Sequence, residues 1–438
     1  MSASTAIERF RIHSHGPVTV APDTPPARPW SPARRIAFRW LFVYLVLYML
    51  QPSPLDFIAP GLVAPYSALW ERIVKGVGRL LGLHITVLPN ASGDTTYNYV
   101  QVLCYAALAA VAALVWTAAD RRRADYRRLY DWLRAAVRVY LAIFMFLYGS
   151  AKVIKTQFPD LSPLTLHQPL GDFTPNMLLW TFMGASTLYT FWSGLLEMVG
   201  GALLVSRRTT LLGSLVCVAV MSNVLMLNLS YDVVVKLFAL HLLALAVFLA
   251  AADARRLLDF FVRNQPVGAA ELRPLFAAPR RHRLVLVART ASLVLIALLL
   301  LAAAGARRHA LTARSGKRLE GSWVVEQLTV GGVTQGRAID AASWRRLVID
   351  SRQRAAVQLG GGEWRRYSWQ LAGRTLELDD DGDAVPAASL EMKPAGAGRL
   401  ELAGTVGGRP MHALLAREEP RFRLLDRDIH WIREGPVR

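Results

Sequence analysis

The chain of 438 residues is 53% hydrophobic with a mean hydropathy of +0.29, which excludes an ordinary soluble domain on composition alone. Its formal net charge of +19 would suit nucleic acid, but the basic residues are distributed among many loops and not gathered into one patch. We therefore expect the lipid bilayer, and no nucleic acid, as the main partner.

A tail and a long apolar region come first along the chain. Residues 1–33 predict a disordered cytoplasmic tail, because prolines recur in it and no secretory signal is present. Residues 34–306 predict a transmembrane domain, since most of its apolar runs approach the ~20 residues that a helix needs to cross a bilayer. The predicted membrane-spanning runs are 36–50, 99–118, 137–154, 182–205, 211–229, 234–252 and 287–304.

Basic residues alternate between dense and sparse loops. Arg and Lys number six from Arg9 to Arg39, seven within 121–138, two after Ser206 and seven within 253–283, with few in the loops between. The positive-inside rule then places the N-terminus in the cytoplasm, and seven crossings place the C-terminal part outside. The sequence predicts a bacterial inner-membrane protein with a periplasmic C-terminal domain.

Two loops of the membrane domain have patterns of their own. Residues 66–83 repeat apolar side chains at helical spacing, which predicts an amphipathic helix that lies on the outer interface or packs on the ends of the bundle. Residues 156–180 are rich in proline, which predicts a fixed, non-helical segment. This segment would either cap a pocket open to the outer face or connect two helices passively.

After the last span the pattern changes to short alternating runs. These predict an antiparallel all-β meander over 313–438 that closes into a small barrel or a sandwich. Its opening Leu-Glu-Gly-Ser-Trp is similar to the Gly-x-Trp motif of lipocalin-like barrels. The predicted strands are 321–330, 344–350, 355–359, 364–371, 375–378, 389–393, 399–406, 410–416, 421–425 and 429–432.

Glu197 is the main lead to chemistry, because ionisable groups within a span are costly to bury. It lies on a small and polar face of the fourth span, together with Ser193 and Gly201. Arg138 near the inner end of the third span is its expected partner. The pair would fix the helix register, or Glu197 would belong to a proton or ligand site.

Other polar groups fall in the outer layer of the bundle. Asp232 and Lys236 lie four residues apart and are expected to pair locally. Lysines at the end of the third span would either reach headgroups or line a pocket. The candidate ligand-binding residues are Tyr148, Lys152, Lys155, Glu197, Asn228, Lys236 and His241.

Several chemistries have no motif in the sequence. Cys104 and Cys217, the two cysteines, lie at different depths of separate spans and are not expected to form a disulfide. No Cys-x-x-Cys, His-Glu-x-x-His or phosphate loop occurs, and no metal site is predicted. The acidic run at 379–383 is interpreted as a hairpin turn in preference to a calcium site.

Three segments resemble DoxX-like integral membrane proteins. The segments are YGSAKVIKTQFP at 148–159, GLLEMVGGALLVSRRTTLLGSLV at 194–216 and NLSYDVVVKL at 228–237. The resemblance implies a four-helix core over about 134–256, and the C-terminal RFRLLDRDIHWIREGPVR is similar to longer members with an outer β domain. The matching positions are Gly149, Lys152, Glu197, Gly200, Gly201, Asn228 and Lys236.

Three functions remain open at the level of the sequence. The first is a membrane protein that binds a small amphiphile or a membrane or periplasmic protein partner in a polar pocket, with the β domain as cap or docking module. The second is the membrane subunit of a quinone-linked oxidoreductase, an activity the resemblance implies for some members, with Lys152 or His241 bonded to quinone and Glu197 handling protons. The third is a cargo or assembly factor. Nothing in the sequence requires catalysis.

Overall fold

The computed structural model describes residues 29–51, 60–87, 93–269, 279–313, 319–335, 343–350, 353–380 and 387–425. Most of the predicted tail, part of the acidic run at 379–383 and the last predicted strand lie outside these residues. The N-terminal part is helical. Its helices are α1 Pro32–Leu50, α2 Pro60–Leu80, α3 Thr96–Ala119, α4 Arg127–Val153, α5 Pro163–His167, α6 Pro175–Ala185, α7 Thr187–Val205, α8 Thr210–Ser230, α9 Lys236–Ala251, α10 Ala254–Phe261 and α11 Pro279–Ala313.

Four helices of the described part, α3, α4, α7 and α8, are long and apolar enough to cross a membrane. Helices α9 and α10 meet at a bend of 74° and together make a fifth candidate span. Helix α1 has 19 residues and carries arginines in its first turns. The helical bundle is confirmed, while the predicted total of seven spans stays a prediction.

Helices α4 and α7 pack at short range because glycines face each other across their contact. A Cβ built on Gly194 would lie 2.6 Å from the carbonyl oxygen of Gly149 and 2.7 Å from Cβ of Lys152. Farther along, a Cβ on Gly201 would lie 3.1 Å from the carbonyl oxygen of Ala142. The missing side chains let the two backbones approach, as small residues do between membrane helices.

The fourth predicted span, 182–205, is interrupted in the structure. Helix α6 ends at Ala185, and Ser186 is extended, with its hydroxyl accepting a hydrogen bond from the amide of Tyr189. Ser186 is thus an N-cap that starts a new helix inside an apolar run. The prediction of one continuous helix was wrong at this residue.

The segment after α4 is also more helical than predicted. Pro163 and Pro175 occupy the first positions of α5 and α6, behind the N-caps Ser162 and Thr174. Proline is favoured there because its missing N–H would have no helical partner. Reading these prolines as helix breakers was wrong, since here they begin helices.

The C-terminal part is an eight-stranded antiparallel barrel. Strands β1 and β3 to β9 follow each other in chain order, and β9 pairs back with β1 from Ser322 opposite Glu418 to Val330 opposite Met411. Strand β2 extends β1 as a hairpin. The strands are β1 Gly321–Val330, β2 Val333–Gln335, β3 Trp344–Asp350, β4 Arg354–Leu359, β5 Trp364–Ala372, β6 Thr375–Asp379, β7 Ala388–Pro394, β8 Arg399–Val406 and β9 Arg409–Glu418.

Buried apolar side chains from every barrel strand fill the interior, among them Leu347, Leu390 and Leu415. Trp323 of the Gly-x-Trp segment is buried, donates its indole N–H to the carbonyl of Leu319 at 2.9 Å and lies under the guanidinium of Arg417. Eight of the ten predicted strands are present within two residues of their predicted ends. The ninth, 421–425, is wrong, because it contains a short 3-10 helix.

Contacts between elements define two ends of the helical bundle. At one end, the amide of Trp30 donates to the carbonyl of Ala124 at 3.0 Å, and Arg134 of α4 lies 3.9 Å from Asp253 just after α9. At the other, the amide of Gly93 donates to the carbonyl of Val234, and Arg308 of α11 donates to the carbonyl of Ile154. We call these the tail end and the loop end. The barrel contacts the loop end, where α5 lies against β3.

Candidate functional site

A buried ion pair joins α4 and α7. The Lys152 ammonium donates to Oε1 of Glu197, with only 6% and 2% of the two side chains exposed. The glycine contact described above sets the register that brings the two groups together. The expected partner, Arg138, instead donates to the hydroxyl of Thr210 at 3.1 Å. The predicted Arg138–Glu197 pair is therefore replaced by Lys152–Glu197.

A cavity of about 220 Å³ lies beside this ion pair, between α4, α6, α7, α8 and the start of α9. At ~30 Å³ per water molecule it equals roughly seven waters, below the ~300 Å³ of small drug-sized sites. It would hold the head or ring of a ligand, not a long chain. Its lining is mainly apolar, and its polar side chains are Tyr148, Lys152, Gln157, Tyr189, Ser193, Glu197, Asn223 and Asn228.

Two hydrogen-bond acceptors of this lining have no partner among the described residues. These atoms are Oε2 of Glu197 and Oε1 of Gln157, and both are buried. A buried acceptor without a donor costs about 1–3 kcal/mol, more when it is charged. The cavity is therefore suited to a ligand that presents O–H or N–H donors.

The proline-containing segment after α4 covers the cavity. Phe158 from this segment and Leu179, Trp180 and Met183 from α6 belong to the lining. Phe158 and Trp180 contact each other edge to face, with their ring centroids 5.1 Å apart. Of the two predicted roles for this segment, the geometry matches a cover.

A second cavity of about 420 Å³ lies on the α1 and α3 side. Its polar lining includes Gln51 and Gln101, whose amides hydrogen-bond to each other at 3.2 Å. Tyr148 and Phe238 line both cavities, with ring centroids 5.9 Å apart. These two rings therefore form the wall between the cavities.

Lys155 is buried but does not line the 220 Å³ cavity. It has a left-handed backbone with φ of 56° just after α4, and its ammonium contacts Asp160 at 2.6 Å, the carbonyl of Gly184 at 3.1 Å and the hydroxyl of Thr187 at 3.0 Å. It thus joins the end of α4 to the break between α6 and α7. Lys152 and Lys155 are both buried, which differs from the alternative that these lysines extend outward to lipid headgroups.

Lys236 also lies outside the cavity lining. Its ammonium contacts Asp232 at 2.6 Å, as predicted for that pair. Sequence reasoning did not identify Asp94, whose carboxylate accepts hydrogen bonds from the amides of Lys236 at 2.7 Å and Leu237 at 2.9 Å. Asp94 from the loop before α3 therefore caps the first turn of α9.

His241 connects α9 to α1 and is absent from the described cavity lining. Its Nδ1 lies 2.7 Å from the carbonyl oxygen of Leu237, which can only accept, so Nδ1 carries a proton. Its Nε2 lies 2.6 Å from the hydroxyl of Tyr44, and the ring stacks on Tyr48 at 3.9 Å. These contacts assign His241 a packing role.

The cavity thus unites four of the seven candidates, Tyr148, Lys152, Glu197 and Asn228. Gln157 and Asn223 were missed by sequence reasoning. Asn223 had a usable signal, because a polar side chain in the middle of an apolar span is costly. Gln157 had none, since polar residues are ordinary in a loop. The described residues contain no group of three or more acidic, His or Cys side chains suited to a metal ion.

Comparison with known proteins gives one partial relative. The chain is 29% identical over 138 residues to the uncharacterized protein YwoB of Bacillus subtilis (strain 168), which covers 32% of this chain and 87% of that protein. No protein-family model matches the chain, and no solved structure does. About two thirds of the chain therefore lies outside this similarity.

Proposed function

We propose that this membrane protein binds the head of a small amphiphile in the 220 Å³ cavity. The observation that carries the proposal is that Glu197 lines the cavity while its buried Oε2 lacks a donor among the described residues. A ligand hydroxyl or amine would supply that donor. In this proposal the chain is a DoxX-like protein of the bacterial inner membrane, with its N-terminus in the cytoplasm and its barrel in the periplasm.

The barrel would act as a cap or docking module for the site. Its contact with α5 supports this role, because α5 belongs to the segment that covers the cavity. His167 of α5 lies 5.9 Å from Trp364 and 5.1 Å from Phe422, measured between ring centroids. A partner that moved the barrel would therefore also displace α5 and the segment that covers the cavity.

A subunit of a quinone-linked oxidoreductase is the second candidate. The two unpartnered acceptors favour binding of the reduced ligand, a quinol. The hydroxyls of a quinol are hydrogen-bond donors, whereas the carbonyls of a quinone are not. Lys152 would have to loosen its bond to Glu197 to contact the ring, and His241 would not take part.

Analysis of co-purified lipids tests the proposal. Wild-type protein and a Lys152→Met/Glu197→Leu double variant are purified in mild detergent, and bound lipids and quinones are identified by mass spectrometry. We expect a stoichiometric hydroxyl- or amine-bearing amphiphile on the wild type and at least a tenfold loss on the variant. A quinol in that position would favour the oxidoreductase.

The matched control changes an exposed ion pair in the same way. Lys75 and Glu71 of α2 lie 2.6 Å apart with side chains 43% and 42% exposed, and neither lines the cavity. Lys75→Met/Glu71→Leu should keep the ligand. Equal lipid content in all three proteins would refute binding at Lys152 and Glu197.

A further inference from the structure

An arginine-lined cavity of about 670 Å³ lies at the tail end of the bundle, away from the proposed amphiphile site. It is enclosed by the start of α1, the first turns of α4, the turn between α7 and α8 and the junction of α9 with α10. Seven arginines line it: Arg34, Arg127, Arg134, Arg138, Arg207, Arg208 and Arg256.

The acidic residues of this cavity do not balance its arginines. Asp131 and Asp253 are the carboxylates in the lining, and Asp125 outside it pairs with Arg127 at 3.2 Å, which leaves a formal surplus of four positive charges. Asp253 is shared, since its two oxygens lie 2.8 Å from Arg256 and 3.9 Å from Arg134. Like charges held together repel, so a bound anion would stabilise the arrangement.

Two of the guanidinium groups have donors that no described residue accepts. The Nε atoms of Arg134 and Arg256 are buried and lack a hydrogen-bond partner. Both arginines line the cavity from different helices. A guanidinium presents a planar fork of N–H groups that matches the oxygens of a phosphate.

A diffuse basic surface at a membrane edge would leave its arginines solvated. Here one arginine, Arg138, is 6% exposed, and the unpartnered Nε atoms are shielded from solvent. Apolar side chains of Leu211 and Leu249 share the lining with the guanidinium groups. The combination of charge, enclosure and apolar wall matches a phosphate group attached to an apolar body better than a free ion.

We infer that this cavity is a binding site for a phosphate group, as carried by the headgroup of an anionic phospholipid. Arg134, Arg207, Arg208 and Arg256 hold the phosphate, and the apolar part of the ligand lies against Leu211 and Leu249. The site is separate from the Lys152–Glu197 cavity, so either proposal stands or fails without the other.

Binding of defined phosphates tests the site. Detergent-purified protein is titrated with phosphatidylglycerol, phosphatidylcholine and inorganic phosphate, and bound species are counted by native mass spectrometry. We expect retained phosphatidylglycerol and at least tenfold weaker phosphatidylcholine. Tight binding of inorganic phosphate, with lipid displaced by it, would assign the phosphate to a soluble source. Equal retention of both lipids would overturn the inference.

Two variants separate a built site from general charge. Arg134→Lys/Arg256→Lys keeps the charge but removes the planar fork, and Arg207→Gln/Arg208→Gln removes charge from the turn between α7 and α8. Each should weaken phosphatidylglycerol binding about tenfold or more, since a hydrogen bond to a charged group contributes roughly that factor. Wild-type affinity in the lysine variant would show that charge alone attracts the lipid and would overturn the site.

The control removes the same charge from outside the cavity. Arg122 and Arg255 are exposed, lie at the same end of the bundle and are absent from the lining. Arg122→Gln/Arg255→Gln should bind phosphatidylglycerol as the wild type does. An equal loss in this control would also contradict the inference, and size-exclusion profiles and circular dichroism verify that each variant is folded.

Discussion

Lys152 and Glu197 are opposite charges held out of water by the packing of α4 on α7. Removing one partner of such a pair leaves an uncompensated charge, whereas replacing both with apolar residues is often neutral. A purely structural pair and a ligand site therefore differ in what the double replacement does. The first predicts no functional loss, and the second predicts loss of ligand from a stable protein.

Stability measurements separate these two effects. Glu197→Leu alone should destabilise the protein by about 3–5 kcal/mol, because Lys152 would be left charged in an apolar core. The free energy of unfolding of Lys152→Met/Glu197→Leu should lie within about 1 kcal/mol of the wild-type value. Both are read from unfolding curves in detergent. A double variant as unstable as the single one would contradict the assignment of the pair.

Glycines set the geometry of the helices at the next scale. The backbone of α7 approaches α4 closely at Gly149 and Gly194, and this approach decides which side chains meet one turn later. Ser186 has a comparable effect, because the helix it starts points Ser193 and Glu197 at the cavity while Lys155 satisfies the carbonyl of Gly184 at the break.

Gly194→Ala tests this packing. The new Cβ would lie 2.6 Å from the carbonyl oxygen of Gly149, so the helices must separate, and overpacking of this kind costs about 1–3 kcal/mol. The variant should have a lower melting temperature and should also lose the co-purified ligand.

Gly76→Ala is the matched control for that change. Gly76 lies in α2 with no atom within 4 Å of its added Cβ, and alanine is favoured over glycine in helices by about 1 kcal/mol. Its melting temperature should stay equal or rise. A Gly194→Ala protein as stable as this control would show that the contact is looser than described.

At the scale of the whole molecule, we predict that the contact of α5 with the barrel depends on pH, because two titratable groups lie at it. Burial lowers the pKa of His167, nearby Arg346 lowers it further, and Glu418 opposes both. Burial raises the pKa of Glu418, but hydrogen bonds from Arg346 at 2.9 Å and from Ser322 at 3.0 Å bring it below the ordinary value of 4.5. The two groups therefore act in different pH ranges.

The sign for His167 follows from its lowered pKa. The contact between α5 and the barrel favours the neutral His167 ring. The stabilisation that this ring adds to the contact is therefore complete above the ordinary pKa of 6.5, and it is lost as the pH falls from 6.5 through the lowered pKa. Hydrogen exchange of residues 163–168, corrected for intrinsic rates, should show less protection at pH 5.5 than at pH 7.5. His167→Phe should remove this difference.

His412 provides the comparison for that experiment. It lies on β9 of the barrel, 2.6 Å from Glu401, and is not among the groups that act on His167, so His412→Gln should keep the pH dependence. If His167→Phe behaves like the wild type, another group controls the contact.

Labelling tests the orientation of the two ends. The native Cys104 and Cys217 are buried, so an introduced exposed cysteine reports its own location. Ala397→Cys on the barrel should react with an impermeant maleimide in intact spheroplasts, and Ala124→Cys at the tail end should react only after permeabilisation. The reverse pattern would overturn the proposed topology.

The sequence predicted the barrel more closely than the helical site, and the reason is the range of the signals. Alternation and turn residues are local, so β1, β3 and β8 have their predicted bounds. The Lys152–Glu197 pair depends on the axial register of α4 against α7. That register is set by the contact between Gly149 and Gly194, which is a tertiary contact and not a local pattern. His241 and Tyr44 are nearly 200 residues apart in the sequence, so no local pattern could predict their hydrogen bond.

Pairing of the first and last barrel strands also constrains how the domain is made. Strand β1 has its partner β9 only after the ribosome has added residues 409–418, so until then the growing sheet has two open edges. Open edges attract other strands, and pairing between distant segments is slow. A chain that stalls before β9 would thus be an open sheet that is prone to aggregation. Cells that make this protein would need a chaperone to cover that sheet until β9 is made.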